Sequence, residues 1–251
     1  MANPTRTIHL PEPGDLRTCT RWACLQRIPG TGPDPTVLTN QVQRAVATVA
    51  ATVIATAEAD GNLQATDQYI HAFLQHFWAG IEALPGPRYP LPLLAVAEER
   101  GTRCIETLVE RVLPRLQYRE QLLTHMLPFE WQIPDGTGGE LLFPGVIARL
   151  GEDRLTGAIR IYDWQVEESH FPTMNAGLRY QRIGVALGWL QNQYPGRETA
   201  YVEVFLLRDI TWESIRTPQE LCLLEELLRK QADEVQHPLP FGHPPLHLLG
   251  N

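Results

Sequence analysis

The sequence predicts an α/β protein with a helical N-terminal lobe, a mixed-sheet core and a C-terminal helix. Apolar residues recur at helical spacing up to residue 128, whereas short apolar runs separated by glycine-rich turns begin at Phe129. At 251 residues the chain is long enough to bury a sizeable core. We expect a single domain, with the lobe over about 16–128, the core and its terminal helix over about 129–236, and an irregular tail over 237–251.

Capping and breaking residues divide the lobe into helices. Asp15 and Thr66 are suited to begin helices, because their side chains accept hydrogen bonds from the free amides of a first turn. Gly61 lies in a clear break, and Pro114 predicts a kink or a boundary. The expected helices cover residues 16–28, 39 or 40 to 59, 67–83 and 93–127, the last as one long helix or two shorter ones.

The core is predicted from its turns and from two apolar runs. Turns at 134–139 and 151–153 flank an apolar run at 141–150, and a second buried strand is expected at 201–207. A helix opens at about Leu178, between these two runs. Residues 208–213 are expected to form a turn or a short strand. Thr217-Pro218 is a strong helix start, with the threonine as the cap and the proline in the first turn.

Composition narrows the function classes. The net charge of −8 gives the chain no general attraction to polyanions, so any nucleic-acid contact requires a local arginine cluster or a more basic partner. Four cysteines without paired-motif spacing are consistent with a reducing cytosol, and we expect a cytoplasmic protein. The longest aliphatic run, 45–57, is too short to span a bilayer, so no membrane partner is expected. Motifs for nucleotide hydrolysis, dinucleotide binding, esterases and zinc proteases are absent from the sequence.

The tripeptide Asp163-Trp164-Gln165 carries the most specific functional signal. Ile161 and Tyr162 lead into it, so an acidic residue lies near the end of an apolar, strand-like run. Gly145-Val146-Ile147-Ala148 lies upstream, and Gln181 lies downstream in the predicted helix. Without further context, the simplest interpretation of such an acid is that it caps a turn or pairs with an arginine.

This order of strands, turns and motifs resembles the PD-(D/E)XK nuclease superfamily, specifically its RecB-like exonucleases and the related CRISPR-associated adaptation nucleases. Members carry Gly-x-x-Asp before a turn, Asp/Glu-x-Lys at a strand end and Gln on the following helix. The resemblance covers most of the chain, including residues 16–28, and implies a restriction-endonuclease-like mixed sheet. In this chain Ala148 stands in place of the metal-binding Asp, and Gln165 in place of the Lys.

These departures remove groups that the chemistry of the family requires. Metal-assisted phosphodiester cleavage needs hard oxygen ligands for Mg²⁺ and a group that stabilises the attacking water and the developing charge. Ala148 provides no ligand, and Gln165 carries no charge. Lys230 is the only lysine, and it is predicted in a separate, late helix. An arginine such as Arg160 or Arg182 carries charge but is a poor proton acceptor.

The resemblance therefore implies a vestigial site without a metal or another cofactor. Its candidate residues are Asp163, Gln165, Glu130 and Gln181. The alternative is an active nuclease that uses Mg²⁺ or Mn²⁺, in which Glu130, Glu140 or Glu167 replaces the missing acid.

Cysteine placement bears on one further cofactor. The related CRISPR-associated nucleases hold an iron–sulfur cluster with one early and three late cysteines. This chain has Cys19 and Cys24 early, but its tail has no cysteine and Cys222 lies inside a predicted helix. We therefore expect no cluster, and we expect these thiols to be buried core groups.

Contact with DNA or RNA would depend on arginines beside the sheet. The candidate nucleic-acid contacts are Arg149, Arg160, Arg179 and Arg182. Trp164 is expected in the core or on a strand face, and if it is instead exposed beside a groove it is the first candidate to stack on a base. The positions of these arginines and of Arg154 in the fold discriminate between binding of nucleic acid and a scaffolding function. A cluster at the edge of the sheet that carries the site favours nucleic acid, whereas arginines that are scattered or paired with Glu favour a scaffold.

From the sequence we expect an inactive nuclease-like protein that serves as a nucleic-acid-binding or scaffolding subunit of a prokaryotic DNA-processing or defence complex. The acidic net charge favours a protein partner that is more basic. The active nuclease and a pure protein-interaction subunit remain the alternatives.

Overall fold

The computed structural model describes residues 5–7, 35–60, 65–84, 89–167 and 176–236. A one-turn π-helix over Leu108–Val112 joins the third and fourth α-helices. The other elements in chain order are β1 (Thr5–Thr7), α1 (Pro35–Asp60), α2 (Thr66–Glu82), α3 (Leu91–Thr107), α4 (Leu113–Arg119), β2 (Glu120–Pro134), β3 (Glu140–Asp153), β4 (Ile159–Gln165), α5 (Ala176–Gln193), β5 (Thr199–Phe205), β6 (Ile210–Ser214) and α6 (Pro218–Gln236).

The strands form one mixed sheet of six, in which β3 has a central position. β2 pairs antiparallel with β3 along one edge, from Pro134 opposite Glu140 to Glu120 opposite Asp153. β1 (parallel) and β4 (antiparallel) pair with the other edge of β3. β5 then pairs parallel with β4, because the α5 crossover connects them, and β6 pairs antiparallel with β5. The predicted order of strand, turn, strand, turn, strand, helix and strand is confirmed.

Helices cover both faces of the sheet and create two apolar clusters. On one face the cluster joins α1, α2 and α3 to Trp164 of β4 and Val204 of β5. On the opposite face α5 and α6 pack on Ile161 of β4 and on Trp131 of β2. Strand residues alternate between the two clusters because successive side chains point to opposite faces of a sheet. The expected α/β class, with helices first and a terminal helix last, is confirmed.

Helix α1 contains the apolar run 45–57 of the sequence, and the large apolar side chains of this run pack in the core. Val42, Val46 and Val53 are fully buried. Threonines on its exposed side bond back within the helix, as in Thr56 Oγ1 to the Thr52 carbonyl at 3.0 Å. Among the described helices, none combines the length and hydropathy needed to cross a bilayer.

The prediction of helix over 93–127 is wrong beyond Arg119. The chain enters β2 at Glu120, so residues 120–128 are strand. Leu122, Leu123 and Leu127 fit either a helical or a strand pattern, and the long ladder to β3 decides in favour of the strand. Pro114 lies directly after the π-helical turn, within backbone that stays helical from α3 into α4, so the predicted kink or boundary falls at this irregular turn.

Two predictions at element ends have opposite outcomes. The turn predicted at 151–153 is wrong, because these residues complete β3 and the reversal follows after Asp153. The start of α6 is confirmed: the Thr217 hydroxyl accepts from the Glu220 amide at 3.2 Å, and the Glu220 carboxylate accepts from the Thr217 amide at 2.8 Å. The predicted helix at 16–28 and the tail at 237–251 lie outside the described residues.

A buried charge network holds β2, β3 and β4 in register. The Glu120 side chain is fully buried, accepts from Arg149 at 2.7 Å and accepts the Tyr162 hydroxyl proton. The Arg160 guanidinium lies 3.6 Å from Glu120 and 2.8 Å from Asp153. Burial, followed by the adjacent Glu120 carboxylate, raises the pKa of Tyr162, so its hydroxyl stays protonated and donates.

Asp153 closes this network and also builds the turn into β4. Its Oδ1 accepts from the amides of Leu155 and Thr156, both at 3.0 Å, and its Oδ2 accepts from Arg119 at 2.9 Å. These donors, the Thr156 amide first, hold the pKa of Asp153 well below its usual range.

We predict that Glu120→Gln lowers the free energy of unfolding by about 3–5 kcal/mol, because it leaves the buried Arg149 without a counter-charge. Glu152→Gln is the matched control: its partner Arg197 is 42% exposed, so the loss should stay below about 1 kcal/mol. Urea denaturation followed by circular dichroism measures both values. Equal losses in the two variants would contradict a structural role for the network.

The depressed pKa of Asp153 predicts a pH dependence of stability. A carboxyl group whose pKa is lower in the folded state stabilises the protein above its unfolded pKa of about 4, and this stabilisation is lost as the pH falls. The unfolding free energy of the wild type should therefore fall more steeply between about pH 6 and pH 3 than that of Asp153→Asn. Parallel profiles for the two proteins would refute this assignment.

Candidate functional site

Two carboxylates lie side by side on the sheet face that α5 covers. Asp163 is in the second half of β4, and Glu203 is its direct neighbour on the parallel strand β5. Glu203 is 1% exposed, whereas Asp163 is partly buried. This pair, with the side chains that bond to it, is the carboxylate site. The predicted position of Asp163 near a strand end is confirmed.

Neutral donors occupy one oxygen of Asp163. Gln165 Nε2 donates to Asp163 Oδ2 at 2.7 Å, and the Tyr201 hydroxyl donates to the same oxygen at 2.9 Å. Gln165 thus shares a hydrogen bond with Asp163, as neighbours at i and i+2 on one face of a strand allow. The two donors hold the carboxylate in one orientation.

An arginine neutralises Glu203. Arg179 in the first turn of α5 donates through Nε to Glu203 Oε1 at 2.5 Å, and its guanidinium lies over the Phe205 ring at 5.4 Å. A planar guanidinium both pairs with a carboxylate and stacks on an aromatic face, which a lysine cannot do equally well. The α5 crossover delivers Arg179 here, because the N-terminus of the helix lies over the C-terminal end of β5.

Burial dominates the titration of this site. Desolvation raises the pKa of Tyr201 well above its usual value, and the Asp163 charge adds to this effect. Desolvation also raises the pKa of Glu203, although Arg179 opposes the shift. Arg182 contributes positive charge near both groups. The Tyr201 hydroxyl therefore remains a proton donor to Asp163.

A glutamine from the helical lobe fixes the end of β4 beside this site. The Gln43 amide nitrogen in α1 donates to the Trp164 carbonyl, and its oxygen accepts from the Val166 amide at 3.1 Å. Pairing between β3 and β4 ends at Tyr162, so no described strand lies next to these backbone groups on that side. Gln43 supplies the donor and acceptor that a strand would supply.

Burial removes three of the predicted nucleic-acid contacts. Trp164 is 1% exposed and packs in the apolar cluster below α1, so it cannot stack on a base. Arg149 and Arg160 are 3% and 7% exposed and belong to the buried charge network. These predictions are wrong because all three side chains point to the face that the helical lobe covers, away from Asp163.

The remaining candidate arginines do not form a shared basic groove. Arg179 is engaged with Glu203, as described above. Arg182 is exposed one turn further along α5, and Arg154 is exposed in the turn between β3 and β4, at the opposite end of the strand from Gln165. The arginines are thus scattered or paired with carboxylates, the pattern that favours a scaffold.

Two predicted site residues lie away from Asp163. Gln181 is 8% exposed on α5 and donates to Gln231 of α6 at 3.3 Å, so its amide joins two helices. Glu130 is exposed on β2 and lines an open apolar groove of about 690 Å³ with Val146 and Trp189. Of the four predicted site residues, Asp163 and Gln165 are therefore bonded to each other, whereas Gln181 and Glu130 have other surroundings.

Metal ligands are sparse at the site. Ala148 packs against the apolar cluster of the lobe and offers no oxygen from its side chain. No group of three or more His, Cys, Asp or Glu side chains suited to hold a metal ion occurs in the described part of the chain.

The cysteine prediction has a mixed outcome. Cys222 is exposed, so its predicted burial is wrong, and Cys19 and Cys24 lie outside the described residues. Burial raises the pKa of Cys104 to about 12, which leaves this thiol unreactive.

Sequence reasoning missed Tyr201, Glu203, Arg179 as a site partner, and Gln43. A signal existed for Glu203, because it is the one acid within the apolar run 201–207 and an acid in a buried strand requires a counter-charge. No local signal identifies Gln43, since its contacts lie 121 and 123 residues away in the chain.

Comparisons with known proteins add little to this geometry. No family model matches the chain, and no curated protein matches it. A solved structure titled "Crystal structure of SSO0001" aligns with 81% of this chain and 85% of that chain, at 11% sequence identity and a TM-score of 0.33.

We predict that Gln43→Met lowers the unfolding free energy by roughly 2–3 kcal/mol, because it leaves the Trp164 carbonyl and the Val166 amide without partners. Gln75→Met is the control: this glutamine is exposed on α2, so its loss should be below about 0.5 kcal/mol. Hydrogen exchange at Val166 separates a local effect from a global one. Unchanged protection of Val166 in Gln43→Met would argue against the contact.

Proposed function

We propose that this protein is a catalytically inactive, nuclease-like protein of the PD-(D/E)XK type that acts as a scaffolding subunit of a prokaryotic DNA-processing or defence complex. One observation carries the proposal: the two carboxylates of the site are already bonded by side chains of the same protein. Gln165 and Tyr201 donate to Asp163, and Arg179 pairs with Glu203.

A divalent cation would have to compete with these internal donors. Mg²⁺ is bound through carboxylate oxygens in near-ideal octahedral geometry and retains several waters. Asp163 Oδ2 already accepts two hydrogen bonds, and the positive charge of Arg179 lies 2.5 Å from Glu203. Because a fixed guanidinium repels a cation at short range, the site favours internal neutralisation over metal binding.

Within the described residues, the side chains that the family uses to bind the metal and activate water are replaced near Asp163. Gln165 is neutral, and Ala148 provides no ligand. Lys230, the only lysine in the chain, lies on α6. Tyr201 stays protonated because its pKa is raised, so it does not serve as a general base.

The distribution of arginines supports scaffolding over binding of nucleic acid. Phosphate recognition depends on guanidinium groups that are exposed and able to form bidentate contacts. Arg149, Arg160 and Arg179 instead bond carboxylates of the same chain. With a net charge of −8, long-range attraction to DNA would have to come from a partner protein.

An active nuclease with a rearranged site is the second candidate, and it has one specific observation in its favour. Asp163 and Glu203 are adjacent on neighbouring parallel strands, so two carboxylates are available on the same face of the sheet. A cation that displaced Arg179 would find both.

The deciding experiment measures Mn²⁺ binding by electron paramagnetic resonance, with cleavage of labelled single- and double-stranded DNA in Mg²⁺ and Mn²⁺. We expect no saturable Mn²⁺ binding and no cleavage by the wild type. Arg179→Gln should gain Mn²⁺ affinity, because it releases Glu203. Arg229→Gln, which removes the ion pair with Glu225 on α6, is the control and should bind no Mn²⁺.

Cleavage by the wild type that is lost in Asp163→Asn would overturn the proposal in favour of the active nuclease. Salt-dependent DNA binding by the wild type, without cleavage, would retain the inactive site but replace the scaffolding role by a nucleic-acid-binding one.

A further inference from the structure

A small cavity lies where the helical lobe meets the sheet. Its volume is about 90 Å³. The apolar side chains that line it come from three elements: Ile54 and Ala57 on α1, Leu113 and Leu116 on α4, and Leu122 on β2. A mainly aliphatic wall favours an apolar part in any molecule that enters the cavity.

Arg149 brings unused hydrogen-bond donors to the lining of this cavity. Its side chain is 3% exposed, and its Nη1 donates to Glu120 at 2.7 Å. The guanidinium also lies over the Tyr162 ring, 4.9 Å from the ring centre. Among the described residues, none accepts a hydrogen bond from Arg149 Nε or Nη2. Because buried polar groups normally have partners, these two nitrogens require an acceptor that enters the cavity.

Charge balance argues against an ion as that acceptor. The buried charged side chains form two pairs, Arg149 with Glu120 at 2.7 Å and Arg160 with Asp153 at 2.8 Å. Glu58 adds a further carboxylate to the lining of the cavity. A bound anion would be repelled by Glu58 and Glu120, and a bound cation would be repelled by Arg149. An uncharged oxygen acceptor avoids both penalties.

Glu58 supplies an acceptor that complements these donors. Its side chain is 53% exposed, so it lies at the open side of the cavity, whereas Arg149 is deeply buried. His125 Nδ1 is 3.6 Å from Glu58 Oε2, which is beyond a normal hydrogen-bond distance. The Glu58 carboxylate can therefore accept from an N–H group of a ligand.

The volume limits the size of the ligand. Benzene, with six carbon atoms, fills an engineered protein cavity of about 150 Å³. On that scale a cavity of about 90 Å³ holds roughly four or five non-hydrogen atoms, if part of the molecule lies at the open side. A carbonyl oxygen, an amide nitrogen and a short alkyl group together have this size.

We propose that this cavity binds a short-chain primary carboxamide. Its carbonyl oxygen accepts from Arg149, its NH₂ group donates to Glu58, and its alkyl group contacts Leu113 and Leu122. Arg149 faces the helical lobe, on the opposite side of the sheet from Asp163, so this site is separate from the carboxylate site and does not depend on the scaffolding function proposed above.

The test titrates the full chain with propanamide and follows NMR signals of leucine methyl groups and of arginine Nε–H groups. We expect saturable shifts of Leu113, Leu122 and Arg149, with a Kd on the order of millimolar for so small a ligand. Propanoate and propylammonium are the charged analogues and should bind at least about tenfold more weakly. Nuclear Overhauser contacts between the propanamide methyl group and Leu113 or Leu122 locate the ligand without any substitution.

A filled cavity provides the matched pair of variants. Ala57→Leu places a larger side chain in the lining and should weaken propanamide binding at least about tenfold. Ala55→Leu is its control, because Ala55 is exposed on the same helix, and it should bind as the wild type does. Glu58→Ala removes the acceptor from an exposed position and should weaken binding about threefold or more, which covers the case in which Ala57→Leu unfolds.

Three results would overturn the proposal. Absence of saturable shifts up to about 100 mM propanamide would leave water as the occupant of the cavity. Tighter binding of propanoate than of propanamide would show that Arg149 selects an anion. Unchanged binding in both Ala57→Leu and Glu58→Ala would place the ligand elsewhere.

Discussion

The buried charge network around Glu120 is the constraint on which the sheet depends. Arg149 and Arg160 come from neighbouring strands, and their positive charges are tolerated in the interior only because Glu120 and Asp153 meet them at hydrogen-bond distance. A one-residue slip of β2 or β4 would move each side chain to the opposite face and leave several charges buried without partners. The network therefore favours one register. We infer that the network acts mainly to select this register, because a slipped strand would leave its charges buried without partners.

That register determines what the carboxylate site is. Once Arg160 and Tyr162 face the lobe, Asp163 must face α5, and its neighbour on β5 must be Glu203. Two adjacent carboxylates in a partly buried site repel each other, and the structure relieves this with donors from three elements: Gln165 on β4, Tyr201 on β5 and an arginine on α5. A catalytic metal site keeps its carboxylates available for the cation, whereas here side chains of the same chain already bond both carboxylates.

The sequence predicted the layout of the fold because its signals were local. The capping pair Thr217 and Glu220 begins α6 as expected, and the apolar run ending at Asp163 became β4. The failures have a shared cause in long-range pairing. Residues 120–128 have the composition of either element, and only the ladder to β3 makes them a strand. Trp164 was the first candidate for base stacking beside the acid, yet strand alternation places it in the core on the opposite face, below α1. Position next to a functional residue in sequence is thus poor support for position next to it in space.

The same separation of faces connects the site to the last strand of the sheet, β6. Glu203 needs Arg179 because it is buried, and its cross-strand neighbour Trp212 is half exposed because β6 has no strand beyond it in the described part of the chain. Glu203 and Trp212 lie on adjacent strands about 5 Å apart. The sheet therefore changes within one strand spacing from a buried, ion-paired interior to an edge strand.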